Sequence, residues 1–294
     1  MHRGRTAWYE GPSLDGSRAG VFSINTDLFK YISKHEVASV SLQYSYPGRH
    51  LHAVFLQTSS SVPPFRKIVD ASRWSLIPAE FSHNPAFTEG WALYSEYLGR
   101  EIGVYDTPLE RLFGTSRELS AAAMLSVDTG IHSLGWSVEE GRNFLIKNTA
   151  MPKPIINASI QRIVTWPGEA CSAKVGEIKI KELRQRAENA LGTLFDLDEF
   201  HNVLLKCTSS LNVVQKCVTH FIEEKIDIGE SISSSSDDIE STVDDKLEDE
   251  TNVNTIETDQ VNKAYRNSVN FQNTLLTLTL TQYVVSFMLI NVNI

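Results

Sequence analysis

The chain has 294 residues, 41% apolar and 21% charged, which fits one large or two small soluble globular domains with enough chain for a sizeable core. Its formal net charge of −9 is unevenly spread: residues 223–259 hold 14 acidic and 2 basic side chains, while residues 1–222 hold 23 basic and 22 acidic ones. The near-neutral remainder excludes a nucleic-acid groove. Cys171, Cys207 and Cys217 are too few and too irregularly spaced for a disulfide framework or a zinc knuckle, and they read as buried free thiols.

Met1-His2-Arg3-Gly4-Arg5 leads into polar chain with no apolar run, so no signal peptide is expected. Residues 7–26, rich in Gly, Ser and Asp, read as turns leading into a short strand from Gly20 to Ile24. His35-Glu36 begins like the His-Glu-x-x-His of zinc peptidases, but Ser39 stands where the second His is needed, so His35 reads as a surface residue. After Pro47-Gly48, Leu51, Val54 and Phe55 recur at helical spacing. A helix is expected from Phe87 to Tyr105, with Glu89 and Glu96 seven apart on one face.

Thr115-Ser116-Arg117-Glu118 reads as a capping box opening the next helix, along which Leu119, Ala122, Ala123, Ser126, Val127, Gly130 and Ile131 form a small-residue stripe. Ser137-Val138-Glu139-Glu140 opens another. A helix from Glu177 to Leu191 ends at Gly192 as a left-handed cap, Asp196 caps the next, and a last amphipathic helix spans Leu211 to Glu223. One glycosylation sequon, Asn157-Ala158-Ser159, is present, a triplet common by chance. Ser231 to Asp259 is dense in Ser, Asp and Glu and is expected to be disordered. The apolar run Leu275–Ile290 is long enough to span or enter a membrane. Its threonines and Gln282 leave open an amphipathic or aggregation-prone strand, and the short polar spacer fits a lipid-anchor signal poorly.

Leu42-Gln43-Tyr44-Ser45-Tyr46-Pro47-Gly48-Arg49-His50-Leu51-His52 resembles the His-Glu-x-x-Pro-Gly-His-His-Leu-Gln signature of the family called domain of unknown function 885, whose members look like mostly helical, zinc-dependent peptidases. Further blocks follow in the family's order: Pro12 to Arg18, Glu89-Gly90-Trp91-Ala92-Leu93-Tyr94-Ser95-Glu96, Val127 to His132, Arg162 with Pro167-Gly168 and Lys174, and Phe200-His201. Aligned on Pro47-Gly48, Gln43 stands for the first His, Tyr44 for the Glu and Arg49 for the next His, and only His50 is kept. A zinc hydrolase needs imidazole or carboxylate ligands and a carboxylate base. An amide is a weak ligand, a phenol of pKa about 10 a poor base at neutral pH, and a guanidinium repels the metal.

The resemblance implies Glu89 as a third metal ligand, against a solvated acidic face as the plain alternative. It implies His132 as a contact to substrate or oxyanion, oriented by Asp128, against a structural histidine. It carries over Arg162 and Lys174 as further candidate catalytic residues, and it places Ala173 where a tyrosine would donate to the oxyanion.

The expected fold class is mostly α: a helical, metallopeptidase-like domain over residues 1–225, corresponding to the C-terminal part of a family member, with a short β/turn segment at its start. Residues 226–270 are expected to form an acidic disordered linker and 271–294 an apolar tail, for which membrane contact and a strand segment are the two open readings. The functional expectation is a catalytically inactive relative, without cofactor, that binds peptides or another protein chain and no nucleic acid. The alternative is an active zinc-dependent peptidase using substitute ligands such as His50, Glu89 and His132. No Gly-x-Ser-x-Gly supports a serine hydrolase.

Overall fold

The computed structural model describes residues 6–60, 62, 63, 67 and 85–240. The apolar tail and the acidic stretch beyond Glu240 lie outside the described residues. Two compact units are distinguished, Met1–Glu230 and Ser231–Ile294, and the features below belong to the first, apart from residues 231–240 at the end of the last helix. Among the described residues no helix is long and apolar enough to cross a membrane.

Strands β1 (Ala7–Glu10) and β2 (Val21–Ile24) pair antiparallel, with Ala7 opposite Ile24 and Glu10 opposite Val21. The sequence led to β2 but to turns over β1. Trp8 and Tyr9 favour extended backbone, and that preference outweighs the Gly-rich context on the C-terminal side. Asp15 and Ser13 tie the intervening loop by accepting from Ser17 and Arg18 backbone N–H groups at 3.0 and 2.8 Å.

Helices follow: α1 (Thr26–Phe29), then a 3-10 turn at Lys34–Glu36 running into α2 (Val37–Tyr44), α3 (Arg49–Thr58) and α4 (Pro85–Glu101). Next come α5 (Pro108–Ser133), α6 (Val138–Asn148), α7 (Lys153–Thr165), α8 (Glu169–Leu191), α9 (Leu197–Lys206) and α10 (Leu211–Glu240). The fold is mostly helical with a small sheet at its start, as expected.

The caps at Ser137 and Asp196 form as read, each side chain accepting from the backbone three residues on. The cap expected at Thr115 does not. Helix α5 starts two turns earlier, where Thr107 and Glu110 make a reciprocal box behind Pro108, and Thr115 lies in its interior. Helix α8 starts at Glu169, behind the left-handed Gly168, and Gly192 ends it at positive φ. Helix α10 runs on to Glu240, past the expected end at Glu223 and into the stretch from residue 226 expected to be disordered, through chain with no proline and one glycine, Gly229.

The larger core cluster gathers Phe87, Trp91, Tyr94 and Leu98 of α4 with Ile180, Leu183 and Ala187 of α8 and the inner faces of α9 and α10. A second cluster joins Val127 of α5, Leu145 of α6 and Ile156, Ile160 and Ile163 of α7. Helices α4 and α8 touch backbone to backbone. A Cβ on Gly90 would lie 2.5 Å from the Gly176 carbonyl carbon, and one on Gly176 would fall on the Ala86 carbonyl oxygen.

The cysteine reading is corrected in part. Cys207 and Cys217 form a disulfide across the turn from α9 to α10, and Cys171 alone is free. Their separation of ten residues carries no local signal, because the pairing depends on the angle at which α9 enters α10.

Gly176→Ala is expected to cost roughly 2–3 kcal/mol of stability, because the clash is with backbone that cannot swing aside. Urea unfolding of the variant against the parent protein measures it.

Candidate functional site

The motif stretch forms the end of α2, a turn and the start of α3. The turn carries a cis Tyr46–Pro47 bond, and Trp91 holds it from α4, donating its indole N–H to the Pro47 and Gly48 carbonyls at 2.9 and 3.3 Å. A Cβ on Gly48 would strike the Gln43 carbonyl, so this position must be glycine for the chain to double back. Motif and α4 are thereby fixed to each other.

Arg49, at the first position of α3, forms an ion pair with Glu89 of α4. Its guanidinium also lies 5.2 Å from the centre of the Tyr44 ring, and the Tyr44 ring stacks with Phe22 of β2 at 5.6 Å. Burial opposes the charge on Arg49, but Glu89, Tyr44 and the nearby Glu169 outweigh it and raise its pKa. Glu169 pairs in turn with Arg162. Tyr44, Arg49, Glu89, Glu169 and Arg162 therefore form one cluster.

Gln43 belongs to a neighbouring network. Its amide oxygen accepts from Arg117 at 3.0 Å. Arg117 clamps Glu96 through two bonds of 2.8 and 3.0 Å. Glu96, only 5% exposed, also accepts from the Ser39 hydroxyl, and the Tyr105 hydroxyl donates to the Glu96 carbonyl at 2.8 Å. Burial pushes the Tyr105 phenol up to about 12. The alternative of a solvated acidic face does not hold: both Glu89 and Glu96 face arginines, and Glu96 is inside. His35 stacks on Phe113 at 6.0 Å and is half-buried. Arg117 was legible only as part of a cap.

The retained His50 points elsewhere. The Tyr9 hydroxyl, whose pKa burial raises to about 12, is hydrogen-bonded to His50 Nδ1 at 2.8 Å. Two residues on, His52 is 1% exposed. Thr208 spends its hydroxyl proton on the Leu205 carbonyl at 2.9 Å and so accepts from His52 Nε2 at 3.2 Å. This leaves His52 Nδ1 as a buried lone pair with no hydrogen-bond partner among the described residues. Burial first, then Arg49, lowers the His52 pKa to about 4. His201, packed edge-on against Trp91 and hydrogen-bonded to the Tyr94 hydroxyl at 3.0 Å, is lowered to about 4 by burial and Arg184. The buried face of α3 is His52, Ala53 and Leu56, while Leu51, Val54 and Phe55 are half-buried.

The remaining candidates are placed apart from the motif or are already engaged. His132 donates Nε2–H to the Ile163 carbonyl at 2.9 Å. Asp128 does not orient it: the carboxylate is 3.8 Å away and instead accepts from Gly168 and Ala170 N–H at 2.9 and 3.1 Å, capping α8. Lys174 pairs with Glu118 at 3.1 Å and the buried Glu177 at 2.5 Å, and Lys181 joins the same two carboxylates. Burial opposes the Lys174 charge, but those carboxylates raise its pKa. Asn157 of the sequon lies within α7 and accepts from Arg142.

A divalent metal does not fit this donor set. Glu89 holds a guanidinium, Gln43 accepts from another, and Nδ1 of His50 is taken by a phenol. Among the described residues no group of three His, Cys, Asp or Glu side chains could hold a metal ion.

Two expectations follow. Arg49→Met strands Glu89 and should cost about 2–4 kcal/mol, whereas the double variant Arg49→Met/Glu89→Met should recover most of that loss; a double-mutant cycle in urea tests the coupling. The depressed histidines set an acid limit. Because His52 and His201 protonate near pH 6.5 when unfolded and near 4 when folded, stability should fall as pH drops from 6.5 towards 4. The slope is about 1.4 kcal/mol per pH unit for each histidine. Unfolding of His201→Phe between pH 7 and 5 should show a shallower slope than the parent.

The family described as bacterial protein of unknown function (DUF885) matches residues 2–210. Comparison with curated proteins finds no match. Among solved structures, the crystal structure of "the putative lipoprotein" from Colwellia psychrerythraea is similar, at 32% sequence identity and a TM-score of 0.67. The similarity covers 75% of this chain and 36% of that one, so the chain spans little more than a third of that relative's length. With the motif blocks and the helical architecture in agreement with this match, the chain belongs to the DUF885 family.

Proposed function

We propose that the chain is a non-hydrolytic member of the family, and that it binds a peptide or another protein chain instead of cleaving one. The observation that carries this reading is the Arg49–Glu89 ion pair. The carboxylate that the family resemblance marks as a metal ligand is neutralised by a cation belonging to the chain itself, seated over the tyrosine that replaces the catalytic carboxylate.

The chemistry of the neighbours supports it. Hydrolysis needs a base to take a proton from water and donors for the developing oxyanion. The Tyr44 phenol is a poor base at neutral pH, Arg162 is engaged by Glu169, and Lys174 is engaged by two carboxylates. Ala173 has no donor to offer. The framework around these positions is nevertheless intact: Trp91 holds the turn and α4 still meets α8 at glycines. A scaffold with its shape kept and its reactive positions engaged suits binding. The alternative, zinc held by His50, Glu89 and His132, draws no support from where these residues point.

The test is elemental analysis of protein equilibrated with zinc, with a parallel peptide-hydrolysis assay and a peptide-array binding assay. Zinc well below one per chain, no cleavage, and retention of specific peptides are expected. Stoichiometric zinc that is lost in Glu89→Ala, together with peptide cleavage, would overturn the proposal.

A further inference from the structure

The disulfide sits where it can act on the motif. Cys207 is the residue that closes α9, and Cys217 lies on the second turn of α10. Between them the chain makes a turn that includes Thr208 and Ser209, both 8% exposed. Both cysteines are half-buried, so a small reductant can reach the bridge. The helices beside it do not depend on it: Leu204, Leu205, Val214 and Val218 are at most 3% exposed and belong to the larger core cluster.

What the bridge does restrain is the turn, and the turn holds Thr208 against His52 of α3. That bond carries weight because His52 is enclosed and its other ring nitrogen already lacks a partner. If Thr208 moves away, a buried imidazole has neither nitrogen satisfied, a state that the surrounding structure relieves by letting α3 shift.

We propose that the Cys207–Cys217 bridge is a redox-controlled latch, which in its oxidised form fixes the α9–α10 turn and so braces helix α3, with the Arg49–Glu89 pair at its first turn. Release is thiol–disulfide exchange with a dithiol. One thiolate of the dithiol attacks a cysteine sulfur, the S–S bond breaks, and the other cysteine leaves as a thiolate that takes up a proton. The second thiol of the dithiol resolves the mixed disulfide, so two electrons and two protons pass to the cysteines and the dithiol becomes a disulfide. This inference stands independently of whether the chain hydrolyses peptides.

Hydrogen exchange read by mass spectrometry on the full chain tests it, in the air-oxidised form, after dithiothreitol, and in Cys207→Ser/Cys217→Ser. Reduction and the double variant should each speed exchange about tenfold or more in residues 207–213 and 49–58 while leaving 85–101 and 169–191 unchanged. Thr208→Val, with the bridge intact, should reproduce the effect on 49–58, and reducing that variant should add nothing there. Faster exchange throughout the domain would make the bridge a general staple. A change confined to 207–213 would break the relay to α3. Free thiols in the air-oxidised protein, or a bridge that dithiothreitol cannot open in the folded chain, would remove the latch altogether.

Discussion

The contact on which the domain depends is the crossing of α4 and α8 at Gly90 and Gly176. Two helix backbones approach this closely only where neither carries a side chain. The close approach places Glu89 and Trp91, the residues flanking Gly90, at the motif, and brings Phe87 and Tyr94 into one core cluster with Ile180 and Leu183. Trp91 then fixes the Pro47–Gly48 turn, and the turn sets where Arg49 begins its helix. Position and chemistry of the site follow from one steric fact.

Electrostatics finishes the arrangement. The interior of this region carries carboxylates at Glu96 and Glu177 and a buried histidine at His52, and each is held in a different way. Glu96 has the two-pronged Arg117. Glu177 has two lysines, one of which, Lys181, also lies 4.0 Å from the centre of the Tyr97 ring. Burial above all, and then the neighbouring Arg49, disfavour the charged form of His52.

Much of this was legible in the sequence, and what was not has identifiable causes. The helical class, the caps at Ser137 and Asp196 and strand β2 rest on local signals. The start of α5 had an equally local signal in Thr107, Pro108 and Glu110, overshadowed by the similar spacing at Thr115–Glu118, which tertiary packing absorbed into a helix interior. The changes at Gln43, Tyr44 and Arg49 could be read as chemistry, but their new partners could not. Arg117, Glu89 and Phe22 reach the motif only once α4, α5 and the β-hairpin are folded around it. The same holds for His52, whose isolation is a matter of burial, and for Cys207 and Cys217, whose meeting is decided by a turn.

A guanidinium is tethered to its own backbone. It cannot be chelated, exchanged for a competing ion, or lost on dilution, so the cluster around Glu89 has no empty form and no loading step. The Arg49–Glu89 charge balance is complete as soon as α3 and α4 meet, from ingredients that ribosomal synthesis alone delivers.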